Sequence, residues 1–579
     1  MQLWVATSGE WNMSSEQTGQ EPVAVTLAAA LKRHGVEVLF GQSLPSALHL
    51  VAPEFGMLQV NYRTENSGGT MADGYARITN KIGVVTAQNG PAAALLVPPL
   101  AEALKASVAL LAIVQEVDRD STDRNAFQEF DHVALFASCT KWVRRIDMAS
   151  RIEDYVDMAM VAAATGRPGP VALLCPADLL RETHQAANKR AAQMGTFPLD
   201  RVAPDPERVT EAASLIANAR CPVVIAGGGV HLSQAADVLA SLQDHASLPV
   251  GTTNMGKGSV SETHPLSLGV LANALADGAP AGPMREILDD ADVLLLIGTR
   301  TNQNGTDSWK LYPRQAKIIH IDIDGNEVGR NYEALRLVGD ARLSIIALSD
   351  ALKAKKLGSR SEGRSELEKR IALARERGNE GALRRCSGEG VLRPERVMFE
   401  LNKQIDAETI VVADASYSSL WILGFLTAKR AGQRFLTPRG LAGLGWGLPL
   451  ALGAKAGSPA NKVIAVVGDG GFAHTWQELE TARRMGLDVV VIVLNNGILG
   501  FQKHAELVKF GAHTNAIDLG PVDHAAIAVA IGCKGRKIET HAELVDALDH
   551  ALASEGVHVL DVVVDPEAHP PLTVFEGHL

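Results

Sequence analysis

Over most of its length the chain alternates between segments with the apolar spacing of amphipathic helices and short, continuous apolar runs of strand length. From Glu21 to about Arg190 these are Val23–His34, Val36–Phe40, Met71–Arg77, Ile82–Ala87 and Val108–Val114. A strand covered on both faces reads as an unbroken apolar run, and a helix between two such strands carries the chain back so that they pair in parallel. The pattern resumes after the Pro-containing segment Phe197–Pro206 with Pro222–Ala226, Val293–Ile297 and Ile318–Ile323. It returns from Val391 with Thr409–Ala413, a Gly-rich turn and helix at Gly440–Ala456, then Lys462–Val467, Trp476–Met485 and Val489–Leu494. Between the last two units, residues rich in Lys, Arg, Glu and Ser read as a solvated helix and linker. The expected fold class is therefore α/β, with three doubly wound parallel-sheet domains over 21–190, 200–350 and 391–579. A flexible leader covers 1–20, and the linker covers 351–390.

The bulk chemistry narrows what such a chain can do. Its 579 residues carry a net charge of -11, which argues against a polyanion-binding surface and hence against nucleic acid as a partner. No apolar run reaches the roughly 18 to 20 residues of a membrane span, so no membrane partner is expected either. The first twenty residues contain Glu10 and Glu16 and no apolar h-region, unlike a signal peptide. Cysteines at 139, 175, 221, 386 and 533 lack CxxC spacing, which suggests neither a zinc site nor a disulfide framework and fits a reducing cytoplasm.

Doubly wound sheets bind ligands beyond the carboxyl ends of their strands, which directs attention to the loops after Phe40, Ala87, Val467 and Leu494. The strand Lys462–Val467 runs into Gly468-Asp469-Gly470-Gly471, and Val489–Leu494 runs into Asn495-Asn496-Gly497. Magnesium takes oxygen ligands, few of them from protein, and completes its shell with phosphate and water. Asp469 offers a carboxylate, Asn496 an amide oxygen and Ile498 a backbone carbonyl, and the glycines through Gly500 let N–H groups approach phosphate oxygens. Either loop alone would be an ordinary tight turn or helix cap. Together, with a strand before each and 27 positions from Asp469 to Asn496, they resemble the signature of thiamine-diphosphate-dependent enzymes.

Two further segments extend the resemblance. Arg63 to Arg77 is similar to the segment by which this superfamily presents a glutamate to the aminopyrimidine ring, which makes Glu65 the candidate activating acid. A carboxylic acid at N1′ favours the imino tautomer whose nitrogen removes the thiazolium C2 proton; read without the resemblance, Glu65 is as well a helix-cap partner or a surface acid. Thr437 to Pro449 resembles the segment that bends the cofactor into a V, with Leu444, flanked by Gly443 and Gly445, beneath the bend. In that superfamily the third domain of one subunit meets the glutamate of another, so the resemblance implies a homodimer or homotetramer with active sites at the subunit interface.

Within the superfamily the chain is most similar to the acetolactate synthase (acetohydroxyacid synthase large subunit)-like branch. Phe127-Gln128-Glu129, Gly166 to Val171, Met255 to Gly258, His264 to Gly269 and Lys317 to Asp324 all match that branch, and the likeness runs from Glu21 to about residue 560. The departures lie where substrate would sit. Gly41 is followed by Gln42-Ser43-Leu44-Pro45, Thr64 replaces a usual His, and a Gly-Pro-Gly turn becomes Asn89-Gly90-Pro91-Ala92. Val270 to Asn273 and Arg300 to Asn304 replace runs that usually meet flavin. Gln42, Gln88 and Gln128 are candidates to orient a substrate carbonyl or carboxylate. The resemblance implies thiamine diphosphate and Mg2+ as cofactors and a small-molecule 2-oxo acid or ketone as substrate. It leaves FAD or ADP in the central domain open, with no redox-active flavin expected. The function expected is a carboligase or decarboxylase. The alternatives are a carbon–carbon lyase, such as a 2-hydroxyacyl-CoA lyase or a diketone-cleaving enzyme, and a non-catalytic scaffold, which would be expected to have lost Glu65, Asp469 or Asn496. A nicotinamide dehydrogenase is disfavoured because Gly227-Gly228-Gly229 lacks the third-glycine spacing of a dinucleotide fingerprint.

Overall fold

A computed structural model describes residues 20–185, 190–355, 357–386 and 390–573, so the expected leader lies outside the described residues apart from Gln20. Three six-stranded sheets, each parallel throughout, follow one another along the chain. Numbered by chain order within each sheet, the first and third share the strand order 2-1-3-4-6-5, whereas the middle sheet runs 3-2-1-4-5-6. The strands are short and β-branched or aliphatic, as in Gly83–Ala87 and Val463–Gly468, and are buried along nearly their whole length because helices cover both faces. The likeness among the three units is therefore closest between the outer two.

Packing follows the same division. One continuous apolar core holds Met71, Tyr75 and Leu111 of the first unit together with Leu450, Val467 and Leu479 of the third. The middle unit has cores of its own on the two faces of its sheet. Two helices join the outer units: Glu65–Thr79, after the second strand of the first sheet, and Gly447–Gly457, after the second strand of the third. Their backbones approach so closely that a Cβ on Gly74 would lie 2.2 Å from the Leu450 carbonyl oxygen, and one on Gly453 would lie 1.8 Å from that of Met71.

The segment read as solvated helix and linker forms a 29-residue helix, Gly358–Cys386. Most of it is charged, but Ile371 and Ala374 are inserted in the middle unit's core beside Ile287 and Leu288. A few apolar residues among many charges are a weak periodic signal, which is why composition alone makes the helix look wholly solvated. No described helix is long and apolar enough to cross a membrane.

Candidate active site

Strands Val463–Gly468 and Val490–Asn495 pair in parallel, with Gly468 opposite Leu494, so the loops that follow them open at the same edge of the third sheet. Asp469 opens a single helical turn, Asp469–Phe472. Its carboxylate is 6% exposed and accepts the Gly497 amide at 2.9 Å, and no cationic side chain pairs with it among the described residues. Burial accordingly pushes the Asp469 carboxyl up to about 6. Asn496 Oδ1 accepts the Ile498 amide at 3.3 Å, and the Ile498 carbonyl accepts the Gly500 amide at 3.0 Å. A cavity of about 490 Å³ opens beside Asp469 and Gly470, bounded by His474, Leu519 and His524.

These oxygens suit a hard divalent cation that shares its shell with a diphosphate. One carboxylate, one side-chain amide and one carbonyl leave coordination positions for phosphate and water, as Mg2+ prefers. Among the described residues no group of three or more acids, histidines or cysteines offers an all-protein metal cage. The glycines keep the loop low: a Cβ on Gly470 would lie 2.9 Å from Leu499, and one on Gly500 would lie 2.9 Å from the Tyr417 ring.

The residue that organises this edge was not singled out from the sequence. Asp414 ends the neighbouring strand Ile410–Ala413 and is 1% exposed. It accepts the amides of Gly445 and Trp446, both at 3.0 Å, and of Ala415 at 2.8 Å. Burial raises its carboxyl, and those amides oppose the rise. A Cβ on Gly471 would lie 2.0 Å from Asp414 Oδ2, so glycine there lets the loop at Gly468–Gly471 lie on this anchor. Gly445 sits at φ +88 with His474 against it, and a Cβ on Gly443 would strike the Trp446 ring at 2.7 Å. Half-buried Leu444 is thus held between two constrained glycines. An acid directly after an apolar strand was the available signal.

In the first unit Glu65 is the first residue of the helix Glu65–Thr79, behind Thr64 as N-cap. It is half-buried, and its side chain makes no hydrogen bond or ion pair among the described residues. Gln88 and Gln128 come together, Gln88 Nε2 donating to Gln128 Oε1 at 2.8 Å. Gln42 stands apart from that pair and donates to the carbonyls of Tyr62 and Arg63 at 3.3 and 3.1 Å, beside the start of the Glu65 helix. His132 holds the loop that follows Gln88, accepting the Gly90 amide at 2.8 Å while its other ring nitrogen lies 2.8 Å from Glu116. Within one chain Glu65 does not border the Asp469 cavity.

A larger cavity, about 1020 Å³, lies at the carboxyl ends of the middle strands and reaches the other two units. Arg300 and Asn302 to Asn304 border it, whereas Val270 to Asn273 do not. Arg77, Arg434 and Arg439 also face it, and the Nε atoms of Arg434 and Arg439 are buried without a partner. The glycine triplet has a packing role here, since a Cβ on Gly227 or Gly229 would lie 2.2 or 2.7 Å from Gly298.

Comparison with known proteins adds independent findings. Residues 22–135 match the N-terminal TPP binding domain of thiamine pyrophosphate enzymes, 209–348 their central domain and 414–562 their C-terminal TPP binding domain. A probable acetolactate synthase large subunit of Methanococcus aeolicus is 32% identical over 569 residues, covering 94% of this chain and 92% of the relative. An acetolactate synthase of Mycobacterium bovis is 31% identical (94% of this chain, 88% of the relative), and one of Arthrospira platensis is 30% identical (96% of each).

Proposed function

Because the chain belongs to the thiamine pyrophosphate enzymes, in their acetolactate-synthase-like branch, we propose that it is a Mg2+-dependent carboligase or decarboxylase acting on a 2-oxo acid or related ketone. The observation that carries this reading is the Asp469 carboxylate, buried at a strand end with no cationic partner among the described residues, beside a cavity and the Asn496 loop. Such a charge is costly unless a bound cation neutralises it.

In this reading Asp469, Asn496 and the Ile498 carbonyl hold the metal, and the amides of Gly470 and Gly471 face the diphosphate. Leu444 supports the bend of the cofactor between Gly443 and Gly445. Glu65 of a second copy holds a proton at the aminopyrimidine N1′. Bound thiamine diphosphate supplies a carbon acid whose conjugate base adds to a carbonyl and accepts the electron pair of the neighbouring bond when it breaks. Gln88 and Gln128 orient the substrate carboxylate or carbonyl, and Gln42 acts from the Glu65 side. Exposed apolar side chains next to site residues support an interface with another copy: Phe127 beside Gln128 is 82% exposed, and Leu441 near Leu444 is 57% exposed. The active unit is then a homodimer or homotetramer, in the cytoplasm.

The test is a panel of 2-oxo acids with cofactor and Mg2+, followed for carbon dioxide release and for 2-hydroxy-ketone products. Release and ligation from pyruvate or a longer 2-oxo acid are expected. Cleavage of a 2-hydroxyacyl-CoA or a diketone, with no turnover of 2-oxo acids, would move the chain to the lyase reading. The arginines around the middle cavity suit the diphosphate of ADP or of FAD alike, and the altered runs Val270 to Asn273 and Arg300 to Asn304 are the ground for expecting no redox-active flavin there. An absorbance spectrum checks this, and a stoichiometric flavin band that bleaches with substrate would refute it.

A further inference from the structure

A single carboxylate of the third unit grips the segment from which Glu65 is launched. Glu478 begins the helix Glu478–Met485, which follows the diphosphate loop, and the residue is 0% exposed. Its carboxylate accepts the Arg63 amide at 3.1 and 3.2 Å, the Thr64 amide at 3.1 Å and the Thr481 hydroxyl at 2.8 Å. No cationic side chain pairs with it among the described residues. The same helix holds Asn61, two residues before Arg63, since Arg484 donates to the Asn61 carbonyl at 2.6 Å and the Thr481 hydroxyl lies 3.4 Å from it.

A buried anion held only by backbone N–H and hydroxyl donors is a poor way to stabilise an interface, because apolar side chains of similar volume would pack there without the desolvation cost. It is a good way to fix a backbone. Charge-assisted acceptors are short and directional, and a carboxylate that binds two successive amides in front of a helix sets the direction in which the first helical residue leaves. That residue is Glu65, whose own carboxylate is uncommitted among the described residues. A reciprocal contact grips backbone in the same way, although with an arginine beside it: Glu102 of the first unit, also 0% exposed and 3.9 Å from Arg77, accepts the Gly440, Leu441 and Ala442 amides ahead of Leu444. Each outer unit therefore anchors the segment with which the other meets the cofactor.

We propose that Glu478 is a positioning residue for Glu65, fixing through the Arg63 and Thr64 amides the direction from which Glu65 reaches the aminopyrimidine. This rests on the reading of Glu65 as the activating acid. The experiment measures exchange of the thiazolium C2 proton into heavy water, by acid quench and NMR, on enzyme saturated with cofactor and Mg2+. It compares wild type, Glu65→Gln, Glu478→Gln and the double variant. Glu478→Gln keeps the side-chain volume and one strong acceptor, so it should fold and load. Its exchange should be slower by about tenfold to a hundredfold, the upper figure being what a misplacement of about 1 Å costs. The double variant should exchange no more slowly than Glu65→Gln alone, because a residue that acts through Glu65 has nothing left to position. In the apoprotein, amide exchange of the peptide over 58–67 should rise in Glu478→Gln. A wild-type C2 exchange rate in Glu478→Gln, or effects that multiply in the double variant, would overturn the positioning role while leaving Glu65 in place. A wild-type rate in Glu65→Gln would instead remove the reading of Glu65 itself.

Discussion

Asp469 and Asp414 stand at adjacent strand ends in nearly equal burial, yet the fold treats them differently. Asp414 is met by three backbone amides at 2.8 to 3.0 Å, whereas Asp469 accepts the Gly497 amide at 2.9 Å, is also reached by neighbouring loop amides such as Gly470, and faces a cavity. The first is a structural anchor, and the second has a charge left over for a ligand. Asp469→Ala should therefore fold, because it removes an uncompensated buried acid, and should fail to retain thiamine diphosphate in the presence of Mg2+. Calorimetric titration checks this, and wild-type affinity in the variant would refute the metal assignment. Asp469 and Asn496 were legible in the sequence because each follows an apolar strand directly and both lie within one short stretch. Glu102 and Glu478 were not legible, and Asp414 offered only its place directly after an apolar strand. Their partners are backbone amides, which carry no residue signature, and for the two glutamates those amides lie in another unit, more than 300 positions away along the chain. Gln88 and Gln128 were each visible as polar loop residues, but only the fold brings their amides to 2.8 Å.

At the scale of elements, the strands of the sheets were read closely where the apolar run was long, and Pro222–Ala226 and Val293–Ile297 agree to the residue. The run Val36–Phe40 shortens to Val38–Phe40, since Gly35 at φ +79 turns the chain just before it. The helix expected over Met71–Arg77 extends to Glu65–Thr79, because its first two turns are Gly- and Ser-rich and lack apolar spacing. Further along the same helix, Gly74 shows what the sequence could not reveal, namely which helix it touches, since a Cβ there would lie 2.2 Å from the Leu450 carbonyl oxygen. Gly453 leaves no room for a side chain against Met71, so Gly453→Ala must separate two helices that carry segments of both half-sites. Overpacking of this kind costs about 1–3 kcal/mol, and the variant should melt below wild type. The control is Gly363→Ala, in an exposed part of the helix Gly358–Cys386 with nothing within 4 Å. That change should raise stability by up to about 1 kcal/mol, since alanine loses less backbone entropy in a helix than glycine does. Equal melting temperatures for the two variants would mean that the helix pair does not form as described.

In the molecule as a whole, two units with the same strand order share one core and hold each other's segments through Glu102 and Glu478, yet Glu65 and the Asp469 cavity of one chain do not meet. If a second copy supplies the missing half, each active site of a dimer takes its glutamate from one chain and its metal loop from the other. Two individually inactive variants can then restore each other. In a mixed dimer of Glu65→Gln and Asp469→Ala chains, one site combines both defects, while the other pairs an intact Glu65 with an intact Asp469. Random pairing makes about half of all dimers mixed, with one working site in two, so co-expressed variants should regain about a quarter of wild-type activity. Purification through a different tag on each chain isolates the mixed dimer, which should bind one thiamine diphosphate tightly per two chains and work at about half the wild-type rate. A site completed within a single chain makes the opposite forecast. Every chain in the mixture then carries one broken component, and tandem-purified mixed dimers would be as inactive as either parent. Absence of activity in mixed dimers whose chains are shown by mass spectrometry to be present in equal amounts would therefore rule out the shared site, and with it the assignment of Glu65 and Asp469 to one catalytic centre across two subunits.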